Sequence, residues 1–371
     1  MDIFEFDKIG TDREKFRLFR KDHSSGASFT VSEYAAAITE LWIPDAKGER
    51  RDIVLGFSDH TSYLESGSCH GSVVGRVANR TKGAAFHLNG ENISMPRNDG
   101  ENNLHGGPGS FQTVYWNGRV LSELEACEYL SATGIDHSFE VEGEAVLFTH
   151  VSPAGTSGLP GNLRAEVVYA WSTDATLLIV YRGTSDADTL FAPTNHSYFN
   201  LLGHDGGSVK DHRLQLASTV MTVKGPDNVP DGAFFETKGS VFDFAQEKNL
   251  SETMRQDDPQ LISSRGLDQN YCLTGSGDRV SLAALLCEPI SGRRMEVLTN
   301  FPGIQVYTGN HTENTVGKGG HVYDQFAGVC LEAQLYPDAI HHEHFPSPIL
   351  RAGETKCYIT GYRFSSALCN T

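Results

Sequence analysis

Apolar and polar residues alternate with a period of two along much of the chain. Residues 166–171 (EVVYAW), 176–181 (TLLIVY), 213–223, 294–298 (RMEVL), 303–307 (GIQVY) and 357–364 carry this pattern, each bounded by Gly, Pro, Asn or Asp. Such alternation predicts half-buried strands. Stretches with a 3.6-residue period are scarce, which argues against a sheet alternating with long helices. Many short strands joined by irregular loops predict a sandwich. Two segments run against the pattern. Residues 32–41 (SEYAAAITEL) hold good helix formers behind a Ser that could cap them, so propensity alone favours a helix. Residues 12–23 (DREKFRLFRKDH) read as a solvated face or a short helix. Loops at 152–162 and 311–323 are rich in Gly, Ser, Thr and Asn, and loops of that length often line a binding site.

The 371 residues would ordinarily suggest two or three domains, but all-β domains are an exception to that prior. The 38 Gly and 14 Pro are spread along the chain, with no polar, low-complexity stretch to act as a hinge. One domain over residues 1–371 is expected. With 30 basic and 47 acidic side chains the formal charge is −17, a field that repels nucleic acid and anionic membranes. The same field favours a neutral small molecule over a phosphorylated one. Seven cysteines, Cys69, Cys127, Cys272, Cys287, Cys330, Cys357 and Cys369, are scattered without a CxxC pair, which fits free thiols in a reducing compartment. Neither the first residues nor any later stretch has the apolar run of a signal peptide or a spanning helix. The expectation is a cytoplasmic protein, a monomer or homodimer.

Six short motifs stand out in chain order: GRVANR (75–80), NNLHGG (102–107), PTNHSYFNL (193–201), LDQNYCL (267–273), PGIQVYTGN (302–310) and LEAQLYPDA (331–339). Together they resemble the aldose 1-epimerases, or galactose mutarotases. The resemblance runs from Tyr34 to Phe364, leaving about the first thirty residues as a poorly matched extension. It implies an all-β fold, a large twisted antiparallel β-sandwich, in which the segment at 32–41 is a strand. It also implies interconversion of the α and β anomers of free aldoses such as galactose and glucose, without a cofactor.

The chemistry asks for one group to take the proton from the C1 hydroxyl and another to protonate the ring oxygen, with roles exchanged on closure. By resemblance Glu332 is the base and His196 the acid, with His105 donating a hydrogen bond near the ring oxygen. Asn79, Arg80, Asp268 and Gln305 match residues that bind the unchanging hydroxyls. These side-chain types suit such proton transfers, since an imidazole titrates near neutrality and a shielded carboxylate is a stronger base than a free one. Alternation along 330–335 puts Cys330, Glu332 and Gln334 on one face and Leu331, Ala333 and Leu335 on the other. Gly106 and Gly107 allow a turn after His105. Trp116, Tyr198 and Phe199 are candidate platforms for a sugar face, with core packing as the plainer alternative. A structural salt bridge is the plainer alternative for Arg80 and Asp268.

Asn79 and Asn195 lie in N-x-S/T sequons inside these motifs, where a glycan would obstruct the site. Adjacent residues such as His341, His342, Glu343 and His344 rarely converge on one ion, so no metal is expected. GKGG at 317–320 lacks the spacing of a phosphate loop. Ala245 stands where the family pattern leads one to expect an arginine, and the C-terminal CYITGYRF is atypical. The competing functions are a carbohydrate-binding or sensing protein without catalysis, and a hexose-6-phosphate 1-epimerase, which would need cations for phosphate. A glycosidase fits less well, because that chemistry generally uses two carboxylates.

Overall fold

The computed structural model describes residues 1–7, 15–254, 257–275 and 277–367. Strands dominate, and the alternation read from the sequence falls where expected: 166–171 lies within the strand Leu163–Ser172, 176–181 within Thr176–Ser185, 294–298 within Arg293–Thr299, and 357–364 within Thr355–Ser366. Residues 213–223 instead divide into Arg213–Leu216 and Val220–Lys224, which join different sheets.

Three antiparallel sheets make the body. A nine-stranded sheet runs from Asn117–Leu121 at one edge to Lys248–Asn249 at the other. Its middle strand, Thr355–Ser366, pairs with Thr176–Ser185 and Arg293–Thr299, so the atypical C-terminal segment is an interior strand. A five-stranded sheet orders Pro230–Glu236, Val220–Lys224, Asp268–Cys272, Gly303–Tyr307 and Cys330–Gln334. A second five-stranded sheet is built from residues 2–52. One continuous core holds side chains of all three, among them Phe19, Phe29 and Ile43, then Tyr169, Tyr181 and Tyr362, then Tyr271, Ile304 and Leu331. The result is the all-β sandwich that the pattern predicts.

Interior strands such as Thr176–Ser185 bury both faces, because the helix Glu123–Ser131 covers the far side of the large sheet with Ala126 and Leu130. That helix opens with a capping box: Ser122 Oγ accepts from the Glu125 N–H and the Glu125 carboxylate from the Ser122 N–H. Among the described residues no helix is long and apolar enough to cross a membrane.

Residues 32–41 form neither a helix nor one strand. Ser28–Ser32 and Ile38–Pro44 are antiparallel partners, joined by a turn in which Ala35 and Ala36 take left-handed φ values of 60° and 45°. Tertiary pairing overrides helix propensity here, because Ile38 and Leu41 are fully buried only in the hairpin. The segment 12–23 is also a correction: Lys15–Asp22 is a strand with Phe16 and Phe19 buried, and its first three residues lie outside the described residues. Its charged residues, Lys15, Arg17, Arg20, Lys21 and Asp22, are exposed or only half-buried. Cys69, Cys127, Cys272, Cys330 and Cys357 are free thiols, and Cys369 lies outside the described residues.

Candidate active site

His196 and Glu332 stand 136 positions apart in sequence and are brought together by two local tethers. The short strand Thr194–Asn195 pairs with Val73–Val74, and the His196 N–H continues that pairing by donating to the Ser72 carbonyl at 2.9 Å. Next to it, the Gly71 N–H donates to the His196 carbonyl while the Ile38 N–H donates to the Gly71 carbonyl. Gly71 has φ +71°, and a Cβ there would stand 2.0 Å from the Ile38 oxygen, so only glycine admits this approach. On the other side the Thr194 hydroxyl donates to the Ala333 carbonyl at 2.9 Å, and Phe199 exchanges two backbone hydrogen bonds with Val329. The histidine segment is thereby fastened to the strand Cys330–Gln334 that carries Glu332.

His196 Nε2 lies 3.7 Å from Glu332 Oε1, and both side chains line one cavity of about 260 Å³. The imidazole stacks on Tyr198 at 5.0 Å, and its Nδ1 is 3.5 Å from Cys330 Sγ. Burial pushes the His196 pKa down to about 4, against an upward pull from a backbone hydrogen bond and the Asp268 charge. Burial pushes Glu332 well above the usual carboxylate range; Asp268 adds to that rise and Arg80 opposes it. Glu332 Oε2 has no hydrogen-bond partner although the residue is 2% exposed.

His105 faces His196 edge-on, with ring centroids 5.5 Å apart. Its Nδ1 accepts the Asn79 N–H at 3.1 Å, and its backbone N–H donates to the Asn79 carbonyl at 3.0 Å. Burial, reinforced by His196 and Arg80, holds its pKa well below the ordinary value. The ring is therefore neutral with its proton on Nε2, the nitrogen left free to donate. Gly106 and Gly107, at φ +80° and +83°, make the turn behind it.

Arg80 is both a wall of the cavity and a member of an ion-pair cluster. Its Nε–H donates to Asp99 Oδ2 at 2.7 Å, and Nη1 lies 3.9 Å from Asp268 Oδ2. Asn79 lines the cavity at φ +60°, its side-chain oxygen accepting the Arg80 N–H. Gln305 lies directly across the sheet from Glu332 but is absent from the cavity wall; its amide donates to Asp268 Oδ1 at 2.6 Å and so orients that carboxylate. Tyr198 lines the cavity, whereas Phe199 and Trp116 belong to the core, Trp116 with its indole N–H on the Phe111 carbonyl. For these two the core alternative holds.

Tyr307, His311, Asn228, Ser264, Cys69 and Leu104 also line the cavity. Tyr307 lies within PGIQVYTGN and His311 directly follows it, so position in the motif was the available signal for those two. Asn228 comes from a turn and Ser264 from the end of the helix Pro259–Ser264, neither with a sequence mark. Of the loops at 152–162 and 311–323, only the second contributes a wall residue, His311. The first instead encloses the Arg76 guanidinium, which donates to the carbonyls of Ser152, Pro153, Pro160 and Gly161 and to the hydroxyls of Ser152 and Thr189. The histidine-rich run is engaged elsewhere: His341 bonds Asp338 at 2.6 Å, and His344 Nε2 bonds the Gly232 carbonyl at 2.8 Å. Lys318 of GKGG is tied to Asp52 at 2.6 Å. Ala245 contributes its carbonyl, accepting from the Gln215 amide, and lies off the cavity wall.

The sequence profile of the aldose 1-epimerase family matches residues 17–363. The chain belongs to that family. It is 34% identical over 355 residues to the galactose mutarotase of Bos taurus, covering 95% of this chain and 94% of that protein. It is 29% identical over 359 residues to the aldose 1-epimerase of Escherichia coli (strain K12), covering 96% and 97%. The crystal structure of the galactose 1-epimerase from Lactobacillus acidophilus NCFM superposes with a TM-score of 0.81 at 25% identity, covering 98% of each chain. The chain is thus an isomerase of the aldose 1-epimerase type, acting on aldoses.

Proposed function

We propose that the chain interconverts the anomers of free hexoses, galactose and glucose among them, with Glu332 and His196 sharing one mobile proton pair. The observation that carries this is their 3.7 Å separation in a common cavity. The hydroxyl oxygen on C1 and the ring oxygen are bonded to the same carbon, so an acid and a base that serve both must stand side by side.

In opening, the Glu332 carboxylate takes the C1 hydroxyl proton and the His196 imidazolium protonates the ring oxygen as the C1–O5 bond breaks. Rotation about C1–C2 exposes the other face of the aldehyde. Closing returns each proton along the same path. The charged pair accompanies the ring and the neutral pair accompanies the open chain. Burial favours the neutral pair, raising Glu332 and lowering His196, so it drives the ring toward opening. Arg80 favours the Glu332 carboxylate and Asp268 the imidazolium, which keeps the charged form accessible. Neutral His105 donates to the ring oxygen whichever state the pair occupies.

Arg80, Asn79 and Asp268, with Gln305 orienting the last, hold hydroxyls that do not change between anomers. Contacts there bind both anomers, leaving C1 free to react. A free sugar fits better than a phosphorylated one: the wall carries the carboxylates of Asp268 and Glu332, and Arg80 is already paired with Asp99. Asn79 and Asn195 are 6% and 2% exposed; neither sequon leaves room for a glycan, which supports a cytoplasmic setting. Polarimetry of freshly dissolved α-galactose, α-glucose, xylose and arabinose tests the proposal. Faster relaxation than buffer is expected for galactose and glucose. Calorimetric sugar binding without acceleration would instead make the chain a carbohydrate-binding protein.

A further inference from the structure

We propose that the catalytic pocket is also a site for soft divalent metal ions, zinc and cadmium in particular, held by Cys330, His196 and Glu332, and that such an ion shuts out the sugar. One donor atom from each of the three lies within 4.8 Å of the other two, and all three residues are buried. Tetrahedral zinc, with bonds of about 2.0–2.3 Å to nitrogen, oxygen and sulfur, sets its ligands roughly 3.3–3.8 Å apart. Side-chain rotations of about an ångström close that gap. His196 presents Nδ1 to the thiol and Nε2 to the carboxyl. An ion takes one nitrogen only, drawing sulfur and carboxylate to the same side of the ring.

A second observation points to a ligand here. Glu332 Oε2 is buried without a partner, and coordination would satisfy it. A sulfur and an imidazole among the donors suit zinc and cadmium and serve magnesium or calcium poorly. With three protein donors the fourth tetrahedral position is open to water. Binding expels the proton of the Cys330 thiol and that of the Glu332 carboxyl to solvent, while neutral His196 gives a lone pair. The lone pairs of Glu332 and His196 are those that move protons in the proposed isomerisation, so the ion is an inhibitor and has no place in the turnover.

The inhibition part rests on the proposed activity; the binding part does not. Cadmium titration of the reduced, full-length chain reads binding through the ultraviolet absorption of the cadmium–thiolate bond. One saturating band is expected, lost in Cys330→Ser and in Cys330→Ala, and kept in Cys357→Ser, whose thiol lies in the nine-stranded sheet. Zinc at tenfold its Kd should raise the apparent KM for galactose about elevenfold with kcat unchanged, a chelator should reverse this, and magnesium should do nothing. A band that survives both Cys330 variants, or zinc that lowers kcat without raising KM, overturns the inference. A Cys330-dependent band in a chain that does not speed mutarotation would refute the activity alone. Full activity with no such band would refute the metal site alone.

Discussion

Replacing Glu332 by glutamine separates what this carboxyl does for the chemistry from what it does to the fold. Its side chain is 2% exposed, its Oε2 has no partner, and its Oε1 is 3.7 Å from His196. Glutamine keeps the volume but cannot exchange a proton. A positioned acid–base group supplies about 10²- to 10⁴-fold in rate, or ~2.7–5.5 kcal/mol at about 1.36 kcal/mol per factor of ten. The upper half of that range is expected, because nothing adjacent can substitute: Gln305, directly opposite, is an amide, and Asp268 is engaged by it. The turnover number should fall about 10³- to 10⁴-fold with KM changed by less than about threefold.

Stability should move the other way. Burial raises the Glu332 pKa, and a raised carboxyl contributes stability that is complete below the unfolded value and lost as pH rises toward the folded one. At neutral pH the unfolded chain gains by ionising this group, whereas glutamine offers no such gain. The variant should be more stable at pH 7.5 by on the order of 1–3 kcal/mol, with the difference closing near pH 4. Polarimetry gives the rate, and urea unfolding at the two pH values gives the stability. Relaxation as fast as the parent's would refute the role of Glu332 in proton transfer. A variant less stable than its parent at neutral pH would refute the account of burial.

Arg80→Lys cannot span Asp99 and Asp268 together, so KM for galactose should rise about tenfold while kcat changes less, measured by the same polarimetry. His70, His196 and His212 fold as neutral rings, with burial the largest cause, and their pKa values are pushed down to about 3, 4 and 4. Since the unfolded value is higher, their stability is complete above pH ~6.5 and lost as pH falls. At pH 5 this amounts to a ceiling of about 2 kcal/mol for each ring, and a urea midpoint unchanged between pH 7 and pH 5 would contradict it. Arg76→Ala leaves four carbonyls without their donor and should destabilise the chain by about 3–5 kcal/mol in thermal unfolding, with His150→Ala, beside the same guanidinium, costing less.

Period-two alternation and turn residues were enough to give the fold class and most strand positions, because side-chain direction in a strand is a local property of the backbone. The motifs singled out His105, His196, Asp268 and Glu332, which line one cavity, and the alternation along 330–335 grouped Cys330 with Glu332, whose donor atoms lie close together. Local signals failed where non-local pairing decided the outcome. The Ala-rich segment at 34–37 turns because its flanking residues bury themselves in a hairpin, and Lys15–Asp22 is a strand because Phe16 and Phe19 find buried environments that no neighbour in sequence provides. Phe199 and Trp116 could not be told from sugar platforms, since an aromatic ring looks the same from the sequence whether it faces a core or a cleft. The quantities that make the site work belong to tertiary structure alone. The 3.7 Å between His196 and Glu332, the Asn79 N–H that fixes the His105 tautomer, and the opposite pKa displacements of acid and base all arise from contacts between distant segments, and desolvation has no value until the chain has closed around the group.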